Sequence, residues 1–290
     1  MKNRLVWTLA LTLLFFSTLS AQGLWDLLEE EEEEITADFA INTFFSTRVI
    51  NGQSVENPHP GNLIFVISHH FGRLNQGFYD LFGLDQATIR LGLEYGINDR
   101  LAVALGRSSY EKTYDAFFKY KILRQQSGAR EMPVTLSWFS GAYLKSQKWP
   151  PATEFMFRHR MSYAHQLLLA RQFSRAISLQ LTPAWVHYNL VSTRNDPNDY
   201  FVLGMAGRWR ITDWVALNLE YFYRFNEPQS FQTHNSFSVG FDLDTGGHVF
   251  QLHFTNTQPM FEPGFLTGTR GTWPDGDVYF GFHIKRTFAL

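Results

Sequence analysis

The side chains with chemical potential in this 290-residue chain are mostly charges at alternate positions. Arg90, Glu94, Lys119, Lys121, Arg158, Arg160, Arg208, Arg210, Glu220, Arg224, Asp242 and Lys285 each stand one step out of phase with a run of apolar residues. Successive residues of a β-strand point to opposite faces, so such charges collect on one polar surface. Nine are cations and three are acids, a bias that would admit or hold a small anionic solute. The other reading, and the preferred one, is a network of salt bridges and hydrogen bonds that fills and stiffens a closed sheet.

Histidine is the second source of chemistry. His69 and His70 are adjacent, so in regular strand geometry they face opposite ways and cannot share one metal ion. His253 and His283 take the polar-face parity on the last two strands and could be cross-strand neighbours. A zinc or copper site needs at least one further ligand, and the sequence does not name it. The expectation is therefore no metal and no other cofactor, with His253 and His283 as weak candidates. A catalytic triad is no better supported. There is no G-x-S-x-G elbow, phosphate loop or dinucleotide fingerprint, and His159 and His187 have apolar-face parity and read as interfacial residues.

The elements that carry these residues are strands. From about residue 62 to 288 the chain divides into segments with period-two alternation, separated by turn signals. In one, Ile89, Leu91, Leu93 and Tyr95 alternate with Thr88, Arg90, Gly92 and Glu94. In others, Tyr114 to Ile122 alternates with Asp115, Phe117, Lys119 and Lys121, and Phe155 to Tyr163 with Arg158, Arg160 and Ser162. Short connections (96–100, 171–175, 211–213, 244–247) interleave with longer ones (73–86, 145–152, 193–199, 226–235, 256–276). That asymmetry belongs to membrane barrels, whose periplasmic turns are short and outer loops long. The expected fold is all-β: a closed antiparallel transmembrane β-barrel of about twelve strands. The stretch 38–50 also looks strand-like. As a spanning strand it would make the count odd, so it is expected to be a periplasmic strand, a lumen insert or half of an added hairpin.

Composition agrees. Aromatic residues make up 17% of the chain, with 28 Phe, 12 Tyr and 8 Trp, yet mean hydropathy is -0.20. A barrel reconciles the two, because alternate residues face lipid while the rest face a polar interior. In such a barrel an ionised side chain on the lipid face would cost roughly 2 to 4 kcal/mol, which directs the charges inward. Net charge is -2, so the basic face of a nucleic-acid binder is missing. With no cysteine, disulfides, thiolate metal sites and a lipoprotein anchor are excluded.

Residues 1–21 read as a signal peptide. Lys2 and Arg4 precede the apolar run Leu5–Leu19, and small residues before Gln22 suit cleavage. Residues 22–36 read as a flexible acidic leader, because Glu29–Glu34 is a run of like charge. Residues 37–290 are left for the barrel. The aromatic-rich last strand, with Phe288 third from the end, is a partial match to the signal that barrel-assembly machinery reads.

Several blocks carry a family resemblance: His70–Arg73, Asp80–Asp85, Ala87–Tyr95, Asn98–Arg100, Gly106–Ser109, Lys119–Gln125, Gly247–Leu252, Phe254–Asn256 and Gly276–Phe282. Together they resemble a family of uncharacterised bacterial β-barrel proteins over roughly residues 40–288. The resemblance implies a barrel in an outer membrane with no assigned biochemical role and no catalytic residues to transfer. Thr47–Gly52 is also family-like, but Gln53 stands where a histidine would be expected, which weakens a metal role there.

The resulting expectation is a non-enzymatic outer-membrane barrel: a pore, a small-solute transporter or a structural element. The alternatives are a membrane-embedded lipase or acyltransferase, and a soluble periplasmic barrel holding a hydrophobic ligand, which would face its aromatics inward.

Overall fold

The computed structural model describes residues 37–128, 130–148 and 156–290. The expected signal peptide and acidic leader lie outside the described residues. The chain divides into two units, one comprising Phe39–Ser127 and Glu131–Leu290, and the other containing Ala37, Asp38, Gly128 and Arg130 among its described residues. The barrel belongs to the first of these units.

Twelve strands form a closed antiparallel barrel. They are β1 (Asn62–Arg73), β2 (Ala87–Gly96), β3 (Leu101–Ser108), β4 (Thr113–Leu123), β5 (Thr135–Lys145) and β6 (Met161–Gln172). β7 (Ile177–Tyr188), β8 (Asp199–Arg210), β9 (Val215–Arg224), β10 (Ser236–Asp244), β11 (His248–Thr255) and β12 (Tyr279–Ala289) complete it. Each strand pairs with its sequence neighbours, and β12 closes on β1. Closure leaves no unpaired edge, as a lipid environment requires. No helix among the described residues is long and apolar enough to cross a membrane.

The alternation read from the sequence is the alternation observed. In β2, Thr88, Arg90, Gly92 and Glu94 are buried while Ile89, Leu91 and Leu93 are exposed. Leu105 on β3, Leu181 on β7 and Leu219 on β9 also face outward. Trp185, Phe201 and Phe225 lie outward at the long-loop ends of β7, β8 and β9, and Phe173, Trp209 and Trp214 at the short turns. These are the two aromatic girdles of a membrane barrel. Greasy side chains on the outside and ionised ones on the inside are the reverse of a soluble ligand-binding barrel.

Short and long connections alternate from rim to rim, with two departures from expectation. The turn 109–112 on the long-loop side is tight, and the 124–134 connection on the short side is extended. The strand expected from residue 155 is a further correction: β6 begins at Met161, and Phe157–Arg160 forms a 3-10 turn before it.

The interior is filled. Residues 42–56 enter from the rim where Leu290 and Gly61 hydrogen-bond, and Thr43, Phe44 and Ser46–Val55 are buried. Residues 43–50 of the strand-like 38–50 stretch thus resolve as a lumen insert, whereas Asp38 and Phe39 belong to a short strand, Ala37–Phe39. Residues 256–278 enter from the opposite rim and carry a short helix, α1 (Glu262–Thr267), all of it buried. Phe44, Val49, Ile50 and Val55 pack on Phe117, Phe139 and Leu168 of the wall. Phe261, Phe265 and Leu266 pack on Tyr143, Val186, Val202 and Phe222. Each buried side chain of this size contributes about 1.5–3 kcal/mol, so the two inserts give the barrel a protein core in place of a water-filled channel.

Candidate functional site

The lumen-facing charges bind the backbone of the inserts. The tip of the first insert turns back on itself: Val49 N–H donates to the Gly52 carbonyl at 2.9 Å, and Ser54 N–H to the Thr47 carbonyl at 3.0 Å. This orients three successive N–H groups toward β9, where the Glu220 carboxylate accepts Ile50 at 3.2 Å, Asn51 at 3.1 Å and Gly52 at 2.9 Å. Consecutive N–H groups of this kind form an anion-binding nest. Gly52 is required by close approach, since a Cβ there would lie 2.7 Å from Phe222 Cζ and 3.0 Å from Glu220 Oε2.

Cations hold the insert's carbonyl groups. Lys119 Nζ donates to Thr47 O at 3.3 Å, to Ser54 O at 2.9 Å and to Glu56 O. Arg208 donates to Asn42 O and to Ser178 Oγ at 3.2 Å. Lys285 donates to Ser46 Oγ and to Gln251 Oε1 at 2.6 Å. Gln251 Nε2 spans Val49 O at 2.9 Å and Asp242 Oδ1 at 2.8 Å. On the other insert, Arg224 donates to Thr267 O at 2.9 Å, and it also donates to Thr233 Oγ1 of the 225–235 loop at 2.5 Å.

The two inserts meet at an ion pair. Arg48 Nη1 of the first lies 3.1 Å from Glu262 Oε1 of α1, with side chains 2% and 0% exposed. Gln53 Nε2 donates to the same oxygen at 2.8 Å, and Tyr143 Oη to Glu262 Oε2 at 2.6 Å. Glu262 is held below the ordinary carboxylate range. Burial, the largest influence, pushes it up, but Arg48, Tyr143, Gln53 and Arg90 together outweigh that.

Eight of the twelve sequence-predicted charges, Arg90, Glu94, Lys119, Arg208, Glu220, Arg224, Asp242 and Lys285, are buried on the lumen face. Lys121 and Arg210 share that parity but are only partly buried, near Glu56 and bonded to Asp213 respectively. Arg158 and Arg160 depart from expectation, because they lie on the 3-10 turn and not on a strand. Arg160 instead donates to carbonyls at 145 and 147 in the same connection.

The expected cationic excess shrinks accordingly. Asp115 is also buried and forms a bidentate pair with Arg90 at 3.0 and 2.5 Å, while Arg48 and Glu262 come from the inserts. Among the described residues within the barrel, buried Arg48, Arg90, Lys119, Arg208, Arg224 and Lys285 face buried Glu94, Asp115, Glu220, Asp242 and Glu262. Strand periodicity carries no signal for residues that arrive on non-periodic inserts. Asp115 does carry the inward parity, and Gly106 on the intervening strand marks its meeting with Arg90: a Cβ there would lie 2.4 Å from Arg90 Nη2 and 2.7 Å from Asp115 Oδ1.

The histidines divide as parity requires. His69 faces outward and stacks on Phe282 at 5.0 Å. His70 faces inward, where it joins the candidates His253 and His283. His187 lies outward with Nδ1 2.8 Å from Asp199 Oδ1, an oxygen that Trp185 Nε1 also approaches at 2.8 Å.

The fold has solved counterparts. The NanC porin matches with a TM-score of 0.50 at 8% identity, covering 79% of this chain and 100% of that one. The KdgM porin matches at 0.46 and 7%, covering 79% and 99%. The outer membrane protein Omp33 of Acinetobacter baumannii matches at 0.41 and 9%, covering 78% and 98%. No curated protein matches the chain. A family model described as a membrane bound beta barrel domain (DUF5777) matches residues 44–288, and with that span, a closed twelve-stranded wall and an apolar exterior, the chain belongs to this family of membrane-bound β-barrels.

Proposed function

We propose that this protein is a non-enzymatic outer-membrane barrel whose resting state is closed, and that a small solute can pass only when the 42–56 insert withdraws. The observation that carries this reading is the buried Arg48–Glu262 pair, which joins the inserts from the two rims in mid-lumen. Lys119, Arg208, Glu220 and Arg224 of the wall support it, since they are turned to insert carbonyl and N–H groups and not toward a free path. Withdrawal of the insert would expose Phe44, Val49, Ile50 and Val55 as well as its polar groups, so apolar burial also favours the closed state. Insertion by barrel-assembly machinery belongs to the same proposal and draws on the aromatic-rich β12 ending near Phe288.

The test is planar-bilayer recording of the full chain beside a deletion of 40–56, both checked for heat-modifiable gel mobility. The wild type is expected to be silent, and the folded deletion variant to give stepwise conductance. Steady porin-level conductance of the wild type would reject the closed resting state. A folded deletion variant that stays silent would reject the insert as the gate and leave a structural role.

A further inference from the structure

We propose that His70, His253 and His283 form a binding site for a first-row transition-metal ion of the zinc or copper class. The site fastens the seam where the last strand closes on the first. It does not depend on whether the lumen conducts.

The geometry begins with a glycine. β12 runs between β11 and β1, and Gly281 pairs with His253 on one side and His70 on the other. Strands are spaced by about 4.8 Å, so the two histidine backbones stand roughly 10 Å apart with Gly281 between them. Their rings meet over the glycine, with Nε2 atoms 2.8 Å apart. A Cβ on Gly281 would lie 2.4 Å from His70 Cδ2 and 2.6 Å from His253 Nε2. The position therefore has to be open for the rings to converge. The ladder is bulged beside it, between the Arg73–Tyr279 and His70–Gly281 pairs, a feature that re-aims side chains. His283, two residues along the same face, stacks on His253 with ring centroids 4.7 Å apart. One ring nitrogen of each histidine lies within 4.8 Å of the others, and all three residues are at most 1% exposed.

The hydrogen bonding is incomplete, and an ion would take up one nitrogen of each ring. Among the described residues, neither nitrogen of His283 has a hydrogen-bond partner, and His253 Nδ1 has none. A buried polar group without a partner costs about 1–3 kcal/mol, and the cost recurs here within one cluster. His70 Nδ1 lies 3.0 Å from the Gln258 carbonyl. As the donor to that oxygen it leaves the Nε2 lone pair pointing at the cluster, the arrangement that orients metal-bound histidines. Neutral imidazoles suit zinc, copper and nickel, and a tetrahedral zinc with nitrogens at about 2.0–2.1 Å needs a small separation of the His70–His253 pair. The nearest cation along the strand, Lys285, is engaged by Gln251 and Ser46. Such an ion would tie β11, β12 and β1 together.

The experiment uses the full chain, purified from membranes without a polyhistidine tag and washed with chelator. Metal per chain is measured by mass spectrometry for the wild type, His253→Gln, His283→Gln and the outward control His69→Gln. In parallel, urea-unfolded wild type is refolded with Zn2+, with Cu2+ or with chelator, and the unfolding midpoint is read. Expected is near-stoichiometric metal in the wild type and in His69→Gln, and a loss of at least about tenfold in the inward variants. The refolded wild type should have a higher midpoint with metal than with chelator. The site is overturned if wild type grown with added metal carries none and its midpoint ignores both ions. It is equally overturned if an inward variant with heat-modifiable mobility retains wild-type metal. Should both inward variants fail to fold, the wild-type content and midpoint decide alone.

Discussion

At the residue scale, the chemistry of the lumen is the satisfaction of backbone groups. Glu220 takes N–H groups, while Lys119, Arg208 and Arg224 take carbonyls. Each would otherwise be a buried charge facing buried peptide dipoles, an expensive pairing of unmet needs. Arg48 and Glu262 are the extreme case, because both are removed from water. Removing one partner of such a pair costs about 3–5 kcal/mol, whereas replacing both with apolar or neutral groups of similar volume costs far less. Arg48→Met and Glu262→Gln are each expected to lower the urea midpoint of the folded barrel markedly, and the double variant to recover most of the loss. A loss in the double variant equal to the sum of the two single losses would show that the pair is not coupled. Glycines at inward strand positions mark such meetings in the sequence. Gly106 lies between Arg90 and Asp115, and Gly281 between His70 and His253. His70 is legible in that sense: it shares inward parity with Ser68 on β1, and β12 offers a glycine at the facing position.

At the scale of elements, the strands are readable because lipid outside and a polar lumen inside impose a period of two. β2, β4, β7, β8 and β10 alternate as their sequences predict. The sequence misplaces the start of β6 because Phe155 to Tyr163 keeps the same alternation while the chain makes a 3-10 turn at Phe157–Arg160. Loops have their own fixed points. Asp196, between β7 and β8, accepts Gln229 N–H at 2.7 Å, Ser230 N–H at 2.9 Å and both groups of Thr193 at 2.9 Å. Ser230, through its hydroxyl and its N–H, is the main reason that this carboxylate is held well below its ordinary value of 3.8. A group depressed in the folded state stabilises above its ordinary value and loses that effect only as pH falls through the lower folded one. Docking of the 225–235 loop, read by limited proteolysis, should therefore be constant from pH 7 to about 4 and fail only in stronger acid. Asp196→Asn should loosen it at every pH, and protection in that variant equal to wild type would refute the assignment.

At the scale of the whole molecule, the wall separates two solvents, and the same substitution has opposite consequences on its two faces. Leu219 points outward on β9 next to inward Glu220. Leu219→Arg should cost about 2–4 kcal/mol in liposomes if it lies near the midplane, measured by reversible urea unfolding. A cost near zero would remove the membrane placement of that face. Alternation and turn chemistry are local and repeat along the chain, so the closed all-β wall, about twelve crossings and the inward direction of ten of the twelve charges were legible in the sequence. What those charges meet follows from the folded chain. The 42–56 and 256–278 segments have no period to read, and their burial, like the convergence of His70 with His253 and His283, depends on contacts between residues far apart in the chain, such as Arg224 and Thr267 at 43 positions and Asn51 and Thr255 at 204. Such contacts exist only once β12 has closed on β1 and enclosed the space that the inserts fill.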